Sequence, residues 1–197
     1  MNNEQSFVFD DLVCGMFDPE KAGLLVVDVQ ERLWPAMKDK DDLLKRTTQA
    51  IEVCGHLGLP ILVSEQYVKG LGPTIAPVQE ALKKFNAYNP IEKFSFSCFG
   101  QPEFEDAFKK SGIETLAIVG IEAHVCVMQT ALDALDRDVE VFFIAEATAS
   151  RNKKHKKEAL HRVRDAGALV GSAEMFGFEA MRTAKHPAFK NVQKAIM

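Results

Sequence analysis

Apolar residues in this chain fall into two alternating patterns: short unbroken runs, and longer stretches with a helical repeat. Gly23 to Asp28 is an almost uninterrupted apolar run, which is what a strand covered on both faces requires. From about Asp42 to Leu57, the residues Leu43, Leu44, Ala50, Ile51, Val53 and Cys54 recur at helical spacing, and Gly55 and Gly58 offer a terminus. Pro60 to Ser64 reads as a second buried strand, Ala76 to Phe85 as a helix, Ile91 to Phe96 as a weaker extended segment, and Pro102 to Lys110 as a helix. Strand Thr115 to Ile121, helix Val125 to Leu135, strand Val139 to Ala145, helix Lys153 to Ala166 and strand Ala168 to Gly171 complete the series. The alternation predicts an α/β class. The expected architecture is a three-layer Rossmann-like fold, with a central parallel sheet of about six strands and helices on both faces. The 197 residues suit one domain, with residues 1–20 as an N-terminal extension.

In such sheets, ligands bind beyond the carboxyl ends of the strands, near the point where strand order reverses. The first strand delivers Asp28 and Gln30 there, with Trp34 shortly after; the second delivers Ser64, Glu65, Gln66 and Tyr67. The segment from Ile91 brings Lys93, and the strand ending at Ile121 brings Glu122, His124 and Cys126. These polar groups, distant in sequence, are the candidate site.

Charge and cysteine usage narrow the chemistry. A net charge of −4 and a pI near 5.8 give no electrostatic case for a nucleic-acid partner. The basic run Lys153 to Lys157 reads as a solvated helix face, followed as it is by Glu158 and Asp165. No apolar run reaches the roughly 18 residues of a membrane span. The first residues lack the basic and apolar regions of a signal peptide, so a cytoplasmic, reducing setting is expected. Cys14, Cys54, Cys98 and Cys126 form no CxxC pair, and no GxGxxG follows the first strand. Zinc, thioredoxin-type and dinucleotide chemistry therefore lack support, and the question becomes which thiol reacts.

Cys126 opens a helix five residues after a buried strand. Backbone N–H groups and the helix dipole there are expected to favour a thiolate and to receive an oxyanion. The competing reading is a packed core cysteine. Asp28 ends a buried strand and is placed to take a thiol proton or activate water, although an aspartate there also serves as a loop-fixing cap. Lys93 read alone is a surface lysine; in a site it would hold the other two electrostatically.

The segments Val26 to Gln30, Lys93 and Gly120 to Cys126 resemble those of the isochorismatase-like hydrolases, a superfamily that includes nicotinamidases and N-carbamoylsarcosine amidohydrolases. The likeness runs from about residue 20 to 195. It is strongest to the isochorismatase-domain-containing subgroup, through Ser64 to Tyr67, Gly70 to Thr74, Glu92 to Phe96, Glu146 to Ser150 and His186 to Phe189. Many relatives carry aspartate where Glu146 stands. The resemblance implies a catalytic triad of Asp28, Lys93 and Cys126, and a cis peptide at Ile121–Glu122. It also implies oxyanion donors in the backbone N–H groups of Glu122 and Cys126, and assembly into dimers or larger rings. Nicotinamidases hold a metal with an aspartate and two histidines between the first two catalytic positions, where this chain has only His56. No metal and no cofactor are expected. The function implied is cysteine-dependent hydrolysis of a small-molecule amide or related carbonyl compound. A vinyl-ether hydrolase, or a scaffold protein with little turnover, is the alternative; thiol redox sensing ranks below them for want of a resolving cysteine nearby in sequence.

Overall fold

A computed structural model describes residues 15–197; Cys14 and most of the expected N-terminal extension lie outside the described residues. Six strands form one parallel sheet in the order β3-β2-β1-β4-β5-β6. They are β1 (Ala22–Val27), β2 (Ile61–Gln66), β3 (Pro90–Lys93), β4 (Thr115–Ile121), β5 (Glu140–Ala149) and β6 (Leu169–Gly171). The helices are α1 (Lys40–Leu57), α2 (Val68–Leu71), α3 (Ala76–Lys83), α4 (Pro102–Ser111), α5 (Met128–Leu135), α6 (Lys153–Asp165), α7 (Ala173–Met181) and α8 (Phe189–Ile196).

Every residue of β1 and β4 is buried. Their side chains alternate between two cores: Leu24 and Val26 join α1, α3, α7 and α8 on one face, while Leu25 and Val27 join α4, α5 and α6 on the other. Two-sided burial explains why these strands read as unbroken apolar runs. In α1 the buried side chains Leu43, Thr47, Ala50, Ile51 and Cys54 follow the helical repeat. The helix stops at Gly58, whose φ of 72° lets its N–H reach the Cys54 carbonyl. Asn152 caps α6 and Ser172 caps α7 through their side-chain oxygens.

The structure departs from the sequence expectation in several places, among them the short helix α2 and the end of β3 at Lys93. The segment after β4 is a π-type turn at Ala123–Val127 before α5 begins, so the helix expected from Val125 starts in an irregular turn. Strand β5 runs on to Ala149, because a register shift lets Gly120 and Ile121 pair with Thr148 and Ala149. Helices α7 and α8 follow the last strand and pack on α1.

Chain order carries β1, β2 and β3 outward in one direction and β4, β5 and β6 in the other, so the reversal lies between β1 and β4. These two strands approach closely at Gly120: its φ is 128°, and a Cβ there would lie 2.1 Å from the Val27 carbonyl oxygen. Gly120→Ala is therefore expected to cost about 2–4 kcal/mol, through a positive φ and a clash with rigid backbone. Thermal denaturation checks it; an unchanged melting temperature would show that the two strands can separate here at little cost.

Candidate active site

Asp28 is the residue just past β1. Its φ of 50° turns the chain out of the strand, a conformation aspartate tolerates better than most residues, and its N–H donates to the Ser64 carbonyl at 3.1 Å. The side chain is fully buried. Ser64 Oγ donates to Oδ1 at 2.8 Å, and Lys93 Nζ donates to Oδ2 at 2.7 Å. Lys93, at the end of β3, is equally buried. Its ammonium also reaches Gln66 Oε1 at 2.7 Å and the carbonyls of Phe96 and Ser95 at 3.0 and 3.2 Å. Three protons facing four acceptors leave none for a substrate, so Lys93 acts here as a fixed charge. Burial, the largest single influence, pushes its pKa down; the charge and hydrogen bond of Asp28 together with Cys98 and Cys126 outweigh it and hold the group above the usual lysine value.

Cys126 stands in the turn that follows a cis Ile121–Glu122 peptide. It is 7% exposed, and the Asp28 carboxylate is near enough to act on its thiol. The expected depression of its pKa is not what the structure gives. Burial pushes the thiol up, the negative charge of Asp28 pushes further, and Lys93 only partly offsets them. Cys126 rests as a neutral thiol beside a base. Helix position pointed towards a thiolate only because the sequence did not show how completely the turn is enclosed.

One hydroxyl ties this turn to the neighbouring loop: Thr130 Oγ1 donates to the Cys126 carbonyl at 2.7 Å and accepts from the Cys98 N–H at 3.0 Å. Cys98 is fully buried, and Asp28, Lys93, Ser64 and Thr130 all act on its thiol. Thr130 escaped the sequence reading. Ser64 was among the groups expected from the second strand, and the strand period puts it on the same face of β2 as Gln66.

That same period removes Glu65, which was expected to line the pocket. It points to the opposite face, where Oε1 accepts from the Thr74 N–H, the Thr74 hydroxyl and Tyr88 OH. Gln30 is also corrected: it is fully buried, its amide donates to the Gln66 and Gly72 carbonyls, and its oxygen accepts from the Gln66 N–H. It staples two loops and has no group left for a substrate. His124 turns away from Asp28. It shares a 2.9 Å hydrogen bond with Ser150 Oγ and lines a shallow hollow with Met128, His155, Glu158 and Arg162. Trp34 packs on the core, and Tyr67 is an exposed residue whose ring lies 5.7 Å from that of Phe94. Phe94 and Phe96 are exposed while Phe99 is core. Glu122 closes its own loop through the Arg151 N–H, and Glu146 accepts from the Ala173 N–H at the start of α7.

The family model of the isochorismatase domain matches residues 22–175. The chain belongs to the isochorismatase domain family. It is 34% identical over 188 residues to isochorismatase domain-containing protein 1 of Danio rerio, across 95% of this chain and 65% of that protein. The chain thus spans slightly less than two thirds of that relative's length. It is 32% identical to isochorismatase domain-containing protein 2A of Mus musculus, across 92% of this chain and 85% of the relative. Among solved structures, MAR1 ribonuclease from Caenorhabditis elegans superposes with a TM-score of 0.84 at 35% identity, each chain being covered to 92%. YcaC from Pseudomonas aeruginosa superposes with a TM-score of 0.85 at 22% identity, over 94% of this chain and 93% of that one, which is a likeness of fold. The isochorismatase-family hydrolase fold is therefore this chain's fold.

Within this family member, no described group of three or more His, Cys, Asp or Glu residues is gathered as a metal site. His56 instead packs edge-on against Phe85, 5.2 Å away. Among the described residues, no helix is long and apolar enough to cross a membrane.

The buried thiols have a consequence for stability. Burial raises Cys98 to about 11, and raises Cys54 and Cys126 as well. A thiol that stays protonated in the fold contributes fully below its unfolded pKa of about 8.5, and that contribution is lost as pH rises beyond it. Unfolding free energy should therefore fall between about pH 8.5 and 10.5, by up to ~1.4 kcal/mol per pH unit for each thiol. Cys54→Ala, remote from Asp28, should remove one proton's share of that slope in urea titrations. An identical slope in the variant would contradict the assignment.

Proposed function

We propose that the chain hydrolyses a small amide or related carbonyl compound through a thioester on Cys126, with Asp28 as the base and Lys93 as the charge that fixes it. The observation carrying this reading is a buried carboxylate held by an ammonium at 2.7 Å, with a neutral thiol within its reach. A neutral thiol needs a base at the moment of attack. As sulfur bonds to the substrate carbonyl carbon, its proton passes to Asp28. The carbonyl oxygen becomes an oxyanion, for which the N–H groups of Glu122 and Cys126 are the proposed donors. Collapse breaks the C–N bond, and the amine leaves with the proton from Asp28. Water then gives a proton to Asp28 and its oxygen to the thioester carbon; the C–S bond breaks, Asp28 returns that proton to the Cys126 sulfur, and the acid leaves.

The name of the Caenorhabditis elegans relative raises RNA as a substrate. Enclosure favours a small molecule, because Asp28, Lys93 and Cys126 are each buried and a polynucleotide would need an open, basic groove. A mass-spectrometric screen of the purified chain should compare small amides, vinyl ethers and short RNA. Amide hydrolysis is expected, with an acyl adduct on Cys126, and Cys126→Ala should lose at least about a thousand-fold. Activity should also survive prolonged EDTA, since the histidines stand apart from the site. Full activity in Cys126→Ala, or loss to EDTA reversed by zinc, would overturn the thiol mechanism.

A further inference from the structure

A carboxylate that works as a base must keep a lone pair aimed at the proton it takes. Rotation of an aspartate carboxylate about Cβ–Cγ is broad and roughly two-fold, so a single cation does not fix its plane. Held by Lys93 alone, Asp28 could swing until both oxygens shared the ammonium and neither faced Cys126. Ser64 supplies the second point. Its hydroxyl is 1% exposed and donates to Oδ1 at 2.8 Å, while Lys93 takes Oδ2 at 2.7 Å. The Ser64 carbonyl also receives the Asp28 N–H at 3.1 Å, so one residue of β2 grips both the main chain and the side chain of Asp28. The single proton of the Ser64 hydroxyl is committed to Asp28.

We propose that Ser64 is a positioning residue for acyl transfer: it fixes the plane of the Asp28 carboxylate, so that one lone pair faces Cys126 Sγ during attack and the water during thioester hydrolysis. The proposal rests on the thioester reading above, and its test separates the two. Loss of the hydroxyl leaves the acid–base groups present and misaimed, so thioester hydrolysis slows while the fold persists. General-base assistance is worth about 10²–10⁴-fold, and loosening one of two points of hold should forfeit about ten-fold of it.

The probe is p-nitrophenyl acetate, which can acetylate a thiol with release of nitrophenol. The lifetime of the acetyl group on Cys126 is read by intact-protein and peptide mass spectrometry after excess ester is removed. Native protein, Asp28→Asn, Ser64→Ala, Ser64→Thr and Ser64→Cys are compared at a temperature where circular dichroism shows each folded. Asp28→Asn should prolong the thioester most. Ser64→Ala should prolong it about ten-fold, and Ser64→Thr, which keeps the hydroxyl, should return it to within about three-fold of native. Ser64→Cys, a weak donor of similar size, should resemble Ser64→Ala and carries the test where the alanine variant does not fold. A merely structural serine would lower the melting temperature without lengthening the thioester's life. Native-like hydrolysis in Ser64→Ala and Ser64→Cys, with Asp28→Asn slow, would overturn the role of Ser64 and leave the thioester reading standing. Absence of any acetyl group on Cys126 in the native protein, or hydrolysis in Asp28→Asn as fast as native, would overturn that reading and this proposal with it.

Discussion

A carboxylate and an ammonium 2.7 Å apart, both about 1% exposed or less, set the terms for everything around them. Removing two charges from water costs several kcal/mol per ion, and the pair survives only where geometry and further hydrogen bonds compensate. Here they do. Asp28 has Ser64 on its other oxygen, and Lys93 has Gln66 and the carbonyls of Ser95 and Phe96. The loop after β3 is accordingly folded with carbonyls inward, while the rings of Phe94 and Phe96 are left exposed. Cys126 sits where this network has its remaining reach, and its neutral state follows from the same burial.

Topology makes the arrangement possible. Strands β1 and β3 flank β2, so Asp28 and Lys93 meet across a strand whose Ser64 and Gln66 point between them. Strand β4 lies on the other side of β1 and carries the chain through Gly120 into the turn that holds Cys126. Three strand ends on both sides of the reversal point thus converge on one carboxylate, at the edge where open α/β sheets place ligands.

Much of this was legible in the sequence, for reasons that can be named. Unbroken apolar runs marked β1 and β4 because both are buried on two faces, and the glycines near residue 58 marked the end of α1. Asp28 stood out directly after such a run and Cys126 five residues after one, whereas Lys93 read alone as a surface lysine and joined them through the family resemblance. What failed depended on direction. Gln30 and Glu65 also follow strands, yet one is consumed by loop carbonyls and the other sits on the far face of β2. Alternation along β2 could have separated Glu65 from Ser64 and Gln66. The protonation state of Cys126 was beyond the sequence, because it depends on how completely the π-type turn is covered. Helices α7 and α8 lie past the last strand, where the alternation of strand and helix that marks the rest of the chain has ended.

The claim at the centre of this account is that Asp28 and Lys93 stabilise each other as one buried unit. A double-mutant cycle on folding free energy, with Asp28→Asn, Lys93→Met and the double variant in urea denaturation, tests it most directly. Each single change leaves a buried group without its partner, and Lys93→Met, which strands the carboxylate's charge, should cost about 3–5 kcal/mol. The double variant should cost clearly less than the sum, giving a coupling of about 2 kcal/mol or more. Additive losses would show two independent side chains, and would contradict the arrangement on which the site is built.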